Sequence, residues 1–221
     1  MMKSVLFDLD GTLTDSRDGI VRCIEYALAR SGVAVPPAET LSRHIGVPLR
    51  DIFGDLMGDP GRDAVEAAVR FYRERFESAG MYENRVYPGV VDLLEGIRGR
   101  GWLAYVVTSK AEVASRQVVR HFSLEEFFAG IYGSELDGTR AGKQELIQHV
   151  LEAESMDPAD AVMVGDRSAD VMGALANGVP AIGVSYGYGT RTELLGAGAT
   201  WICDEPYSVL DVLVGHFGNE S

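Results

Sequence analysis

Positive charge is scarce in this chain. Its 221 residues carry 20 Lys and Arg against 33 Asp and Glu, a formal net charge of −13. With no basic tract, a nucleic-acid partner is not expected. A small phosphorylated substrate remains compatible, because a bound metal and a few local cations can reverse the field in one cleft. Lysine is rarer still: Lys3, Lys110 and Lys143 stand against seventeen arginines. Long apolar runs are missing, and none approaches the roughly 20 residues of a membrane span, so no membrane partner is expected. Cysteine is limited to Cys23 and Cys203, far apart and outside any ligand spacing. They read as small buried hydrophobes, unbridged in a reducing compartment. The opening Met-Met-Lys-Ser lacks the layout of a signal peptide, and a cytoplasmic location is the expectation. There is no internal repeat or low-complexity tract, and the tail 215–221 is expected to fray.

What the chain has is a strand–helix alternation. Short apolar runs at 5–9, 102–108, 161–165, 181–185 and 200–203 read as buried parallel strands. Helical spacing recurs between them, as at Val90, Leu93, Leu94 and Ile97, and at Leu146, Ile147, Val150 and Leu151. This predicts an α/β fold with a doubly wound parallel sheet of Rossmann-like type, whose ligands lie beyond the carboxyl ends of the strands. Residues 16–82 break the pattern: helices are expected at 19–30, 37–44, 49–56 and 63–79, with no strand. The expected organisation is a core of 1–14 and 83–221 with an all-helical cap, 15–82, inserted after the first strand. Its two chain crossings could serve as a hinge for closure over the site.

The acids fall at the strand tips. Val5-Leu6-Phe7 runs into Asp8, Asp10 and the Gly11-Thr12 turn. Two neighbouring carboxylates repel unless a cation lies between them or one holds a proton. The second strand ends at Thr108-Ser109-Lys110, where a hydroxyl and the backbone N–H groups of a following helix would suit an anion. Lys143 precedes a helix, in a loop on the carboxyl side of a strand. A third strand reaches Gly165-Asp166, with Asp170 four residues on. Taken singly, Thr108 also reads as a helix N-cap, Lys143 as a solvated lysine and Asp170 as a partner of the helix dipole. Together, four acids, a hydroxyl and an ammonium outline a phosphoryl-transfer site, and an oxygen-rich carboxylate set suits Mg²⁺.

Those residues, in that order, resemble the haloacid dehalogenase-like hydrolase superfamily: Asp8-Leu9-Asp10-Gly11-Thr12, then Thr108, then Lys143, then Gly165-Asp166 with Asp170. The helical cap and Ile45-Gly46-Val47-Pro48-Leu49 resemble its phosphoglycolate phosphatase-like group. The resemblance implies a Mg²⁺-dependent phosphatase acting on a small phosphorylated metabolite through an aspartyl phosphate. Asp8 would be the nucleophile, and Asp10 the proton donor to the leaving oxygen and then the base for water. Asp8, the backbone carbonyl of Asp10, and Asp166 would hold the metal, with Asp170 behind them or bound through water. Thr108 and Ser109 would bind the phosphoryl group, and Lys143 would neutralise it and orient Asp8. Where many relatives carry proline after this lysine, here stands Gln144, which puts the local loop geometry in question.

Within the superfamily, Asp10 favours phosphoryl transfer over dehalogenation. The absence of lysine from 15–87 argues against a Schiff-base phosphonoacetaldehyde hydrolase. A β-phosphoglucomutase-like mutase and a nucleotidase or pyrophosphatase stay open as alternatives. A non-enzymatic phosphate sensor would have no need of Asp10. In the cap, His44 and Arg50 are candidates for substrate binding, with Arg43 and Arg17 as similar cases, since arginine would suit a carboxylate or second phosphate. Tyr186-Gly187-Tyr188-Gly189 does not match a dinucleotide fingerprint and reads as loop geometry. Monomer and homodimer are both open.

Overall fold

The structure is a computed structural model and describes residues 2–218. The chain divides into two compact units. Asp15–Arg85 form one; the described residues through Thr14 and from Val86 onward form the other.

The larger unit is built on a six-stranded sheet. It contains β1 (Ser4–Phe7), β4 (Leu103–Ala111), β5 (Phe128–Ser134), β6 (Ala161–Gly165), β7 (Ala181–Val184) and β8 (Trp201–Cys203), in the order β5-β4-β1-β6-β7-β8. Every neighbouring pair is parallel. The order reverses direction at β1, which pairs with β4 on one side and β6 on the other. That is the switch point of a doubly wound sheet, and the tips of β1 and β6 there carry Asp8 and Asp166. Helices α5 (Val90–Gly99), α6 (Glu112–His121), α7 (Lys143–Ala153), α8 (Ser168–Ala176), α9 (Arg191–Gly196) and α10 (Pro206–Gly218) complete the unit.

The central strands read as unbroken apolar runs because both sheet faces are covered. Val5, Leu6 and Phe7 have no exposed surface. Leu6 packs in a cluster with Tyr105, Val107 and Met163 of neighbouring strands and with Leu146, Ile147 and Val150 of α7. Each such buried side chain contributes about 1.5–3 kcal/mol relative to exposure.

The smaller unit is helical: α1 (Arg17–Arg30), α2 (Ala38–Ser42), α3 (Leu49–Met57) and α4 (Arg62–Ser78). The stripe on α4 buries Ala68, Val69, Tyr72 and Phe76, while Val65 is half-buried. Tyr72 stacks on Phe76 and meets the ring of Phe53 edge-on. Where the chain passes between the units, β2 (Thr14–Asp15) and β3 (Arg85–Val86) pair as a two-stranded ribbon.

Four expectations from the sequence are corrected. The sheet has a sixth strand, β5, that the apolar pattern did not show. It is an edge strand, paired only with β4, and Gly130 and Gly133 weaken its propensity signal. The second strand does not yield to a helix after Thr108 but runs to Ala111, with an irregularity between Thr108 and Ala111. Thr108 is therefore a strand residue, not an N-cap. Lys143 is the first residue of α7, not a loop residue, and Gln144 continues that helix without disturbance. Helix α10 continues through 215–218, where fraying was expected, and 219–221 lie outside the described residues. Cys23 and Cys203 are buried, as expected.

Candidate active site

The first strand does not stop at its last ladder residue. The Asp8 N–H donates to the Val164 carbonyl at 2.9 Å, so Asp8 is still anchored to β6. The chain then turns: the N–H groups of Leu13 and Thr14 both donate to the Leu9 carbonyl at 3.0 Å, and that of Gly11 to Thr14 at 2.7 Å. Gly11 has φ of +94°, and a side chain there would collide with the Asp166 carboxylate. The turn thus needs glycine twice over, for its backbone and for its neighbour.

Around this turn the structure brings together most of the residues singled out from the sequence. Asp8, Asp10, Asp166, Asp170, Lys143 and Thr108 are all buried. Lys143 Nζ, aimed inward from the start of α7, lies 2.7 Å from Asp8 Oδ1, 2.7 Å from the Val107 carbonyl and 2.7 Å from Asp170 Oδ1. Burial opposes its charge, but Asp170 and Asp8 outweigh that and hold its pKa above the ordinary lysine value. Burial pushes Asp8 up to about 6; Lys143 pulls the other way, while Asp170 and Asp10 add to the rise. Burial, with Asp8 and Asp170 beside it, pushes Asp166 well above the ordinary carboxylate range.

The carboxylates of Asp8, Asp166 and Asp170 can offer one oxygen each, all within 4.8 Å of one another. The Asp10 carboxylate is not in that trio; its Oδ2 accepts from Lys110 Nζ at 2.7 Å. The donor set fits a hard divalent cation: all oxygen, buried and mutually repelling. The four acids and two ammonium groups leave two negative formal charges, which one divalent cation would cancel.

A family model described as haloacid dehalogenase-like hydrolase matches residues 5–184. The chain belongs to this family. It is 47% identical over 213 residues to a protein of Pseudomonas aeruginosa named 5'-nucleotidase, covering 96% of each chain. It is 32% identical to a phosphoglycolate phosphatase of Nitrosospira multiformis, covering 85% of each. Among solved structures, a predicted phosphatase from Clostridium acetobutylicum superposes with a TM-score of 0.93 at 38% identity, covering 97% of this chain and 99% of that one. As a haloacid dehalogenase-like hydrolase with such relatives, the chain is an enzyme of the phosphoric monoester hydrolase class. Phosphatases of this family generally use a divalent metal, and the buried acidic trio is where this member could hold one.

The remaining sequence candidates are placed as follows. Thr108 Oγ1 accepts from the Lys110 N–H at 3.3 Å. Ser109 is half-buried, and its carbonyl accepts from Ser134 Oγ at 2.9 Å. Arg50 is engaged within the helical unit by a two-point pair with Glu66, at 2.5 and 3.2 Å. His44 Nε2 lies 3.7 Å from Asp55 Oδ2 in that same unit. Asp170 Oδ2 accepts from the Arg167 N–H at 3.0 Å, closing the first turn of α8.

Two features were not visible as functional in the sequence. Lys110 is one of them. The other is the loop 185–189, which is built against Asp166. The Tyr188 N–H donates to Asp166 Oδ2 at 2.7 Å. A side chain at Gly187 would strike the Gly11 carbonyl and the Asp166 side chain. Tyr186 donates its hydroxyl to the Thr12 carbonyl at 3.0 Å, and burial raises its pKa. Gly187 and Gly189 permit this close approach to Asp166, the one to its side chain and the other to its carbonyl. Their only sequence signal is their position just past the tip of a strand.

Proposed function

We propose that this enzyme is a Mg²⁺-dependent phosphatase that hydrolyses a small phosphate monoester through an aspartyl phosphate. The observation that carries the reading is Lys143 Nζ, 2.7 Å from both Asp8 and Asp170, beside three carboxylates gathered within 4.8 Å. In that arrangement Lys143 opposes the burial and the neighbouring acids that raise the Asp8 pKa, and it gives Asp8 a cationic neighbour for an incoming dianion. A divalent cation held by Asp8, Asp166 and Asp170, with the Asp10 carbonyl, would offset the remaining negative charge and polarise the phosphoryl oxygens.

The residues divide the work. Thr108, with Ser109 beside it, binds the phosphoryl group near the carboxyl end of β4. Lys143 neutralises it and fixes the orientation of the Asp8 carboxylate. A carboxylate oxygen of Asp8 forms a bond to phosphorus as the ester P–O bond breaks, and the leaving oxygen takes a proton from Asp10. A water then gives a proton to Asp10 while its oxygen attacks phosphorus, releasing Asp8 and inorganic phosphate. The roles of Thr108, Ser109, Asp10 and Lys143 rest on the family motifs and on the contacts described above.

For the substrate, the relative at 47% identity favours a nucleoside 5'-monophosphate, and the one at 32% supports phosphoglycolate. The helical unit, 15–85, is assigned the choice between them, with His44 and Arg50 as its candidate contacts. The test is a panel of nucleoside monophosphates, phosphoglycolate, sugar phosphates and pyrophosphate, assayed with and without Mg²⁺ and ranked by kcat/KM. Nucleoside monophosphates are expected to rank first. A lack of Mg²⁺-dependent turnover of every monoester would refute the phosphatase reading, and interconversion of hexose phosphates without phosphate release would replace it with a mutase.

A further inference from the structure

The chain has three lysines, and two of them end on the two carboxylates of the first motif. Lys143 is on Asp8, and Lys110 Nζ is 2.7 Å from Asp10 Oδ2, with both partners' side chains close to nine-tenths buried. A buried ion pair is weak grounds for stability, because desolvation offsets much of the attraction. Its placement is more informative. Lys110 lies within the irregular end of β4, between Thr108 and Ala111, where the register against β5 shifts. Such irregularities re-aim side chains near sites. The same residue's N–H donates to Thr108 Oγ1, so the backbone of Lys110 braces the expected phosphate-binding hydroxyl while its ammonium holds Asp10.

The other oxygen, Asp10 Oδ1, is buried and has no hydrogen-bond partner among the described residues. A buried carboxylate oxygen without a donor is costly unless a ligand or reacting group supplies one.

From this pinned and unpinned pair of oxygens we infer that Lys110 is a positioning residue for proton transfer: it occupies Oδ2 of Asp10 and so leaves Oδ1 as the atom that carries the proton to the leaving oxygen. The inference rests on the reading of Asp10 as proton donor. In the first step an Asp8 oxygen bonds to phosphorus as the ester P–O bond breaks, the proton passes from Oδ1 to the leaving oxygen, and the carboxylate that remains is neutralised by Lys110. In the second step the oxygen of water bonds to phosphorus, the bond to Asp8 breaks, and a proton from that water returns to Oδ1. Lys110 touches neither substrate nor phosphorus in this scheme.

A purely structural ion pair and a positioning residue differ in how their loss depends on the leaving group. An aryl phosphate such as p-nitrophenyl phosphate expels a stable phenolate and needs little help from an acid. An alkyl phosphate needs the proton. The comparison is kcat/KM, which covers enzyme phosphorylation and excludes the later water step, for p-nitrophenyl phosphate and for the fastest alkyl monoester of the panel, with Mg²⁺ saturating. Lys110→Met is expected to lose about 30-fold or more on the alkyl ester and less than about threefold on the aryl ester, within the range of general acid catalysis. Asp10→Asn is expected to show the same asymmetry, only larger. Lys110→Arg, which keeps the charge, is expected to recover most of the alkyl activity. If Lys110→Met does not fold, Lys110→Arg carries the test through its smaller alkyl-selective loss. Equal losses on both esters, or no loss on either, overturn the inference. Failure of the wild type on both esters would instead overturn the proposed function, and a symmetric loss in Asp10→Asn would refute the proton-donor role beneath it.

Discussion

The two units of the molecule handle charge in opposite ways. In the sheet-bearing unit, four aspartates and a lysine are at most 7% exposed and converge at the tips of β1 and β6. In the helical unit, Asp15–Arg85, Ser16 is the one buried polar residue among the described residues, and the charged side chains pair near the surface. Arg50–Glu66 and Arg75–Glu83 are partly exposed, and Arg85–Asp15 leaves most of the arginine in water. Burying like charges together is unfavourable for folding, so a chain that does so is spending stability on chemistry. Surface pairs cost little and can change without consequence for the core. The difference separates a unit whose buried charges hold one another in a fixed geometry from one whose charges can change at little cost to its core.

The sharpest way to break that comparison is at Asp8. Asp8→Asn relieves repulsion in the buried cluster and is expected to fold with unchanged or higher stability, yet lose at least about 10³-fold in kcat, as loss of a nucleophile does. A steady-state assay with a matched thermal melt checks both halves, and retained activity would remove Asp8 from the chemistry. Next comes Lys143. Lys143→Met strips the cation from Asp8 and Asp170 and is expected to cost about 3–5 kcal/mol, the scale for breaking a buried pair. Denaturant titration reads that loss, and a cost near zero would mean the cluster is solvated in a way its burial does not suggest.

Adding the cation sharpens the comparison from the other side. A carboxyl whose folded pKa is raised holds more protons folded than unfolded. For Asp8 that interval runs from the ordinary 3.8 to about 6, so the metal-free protein loses stability as pH rises through it. A cation needs these groups ionised and displaces their protons, so its affinity falls as pH drops through about 6. At 100 times its Kd, Mg²⁺ is expected to add about 2.7 kcal/mol near pH 7.5. That corresponds to a rise of about 5–10 °C in Tm for a chain of this size. The gain should shrink by pH 5.5. Thermal melts at the two pH values decide it: no gain at the higher pH, or a larger one at the lower, removes the metal from the trio.

The smallest effect is expected in the helical unit. Arg50→Ala breaks the pair with Glu66 and should cost no more than about 1 kcal/mol, the scale of a partly exposed ion pair. Its kcat/KM ratio between nucleoside monophosphates and phosphoglycolate is expected to shift by more than its stability does. An unchanged ratio would take Arg50 out of substrate choice.

Legibility followed the same division. The buried strands were readable because a doubly covered parallel strand writes itself as a continuous apolar run, as at Val5-Leu6-Phe7 and Ala161–Gly165. Strand β5 was not, because an edge strand with two glycines and one buried face has neither the run nor the propensity. The end of β4 was misread for a related reason: Thr108-Ser109-Lys110 looks like a helix start, and only pairing with β5 holds it as strand. Asp8, Asp10 and Asp166 could be named as candidates from residue type and position, since strand tips at a switch point are where such groups collect. Thr108, Lys143 and Asp170 each have an ordinary reading when taken singly and stood out only through their order along the chain.

The sequence by itself determined five of the six strands of the sheet, the helical stretch that follows the first strand and the acids at the strand tips. It did so because periodicity and local chemistry are properties of neighbouring residues. Tertiary structure alone decided that Lys110 meets Asp10 and that a loop amide meets Asp166, and it gave the Lys143–Asp8 pairing its geometry. Lys143 reaches Asp8 across 135 positions, Lys110 reaches Asp10 across 100, and the Tyr188 amide reaches Asp166 across 22. Those pairings depend on sheet order and strand register, which bring distant chain segments to one edge and leave no trace in the spacing of residues along the chain.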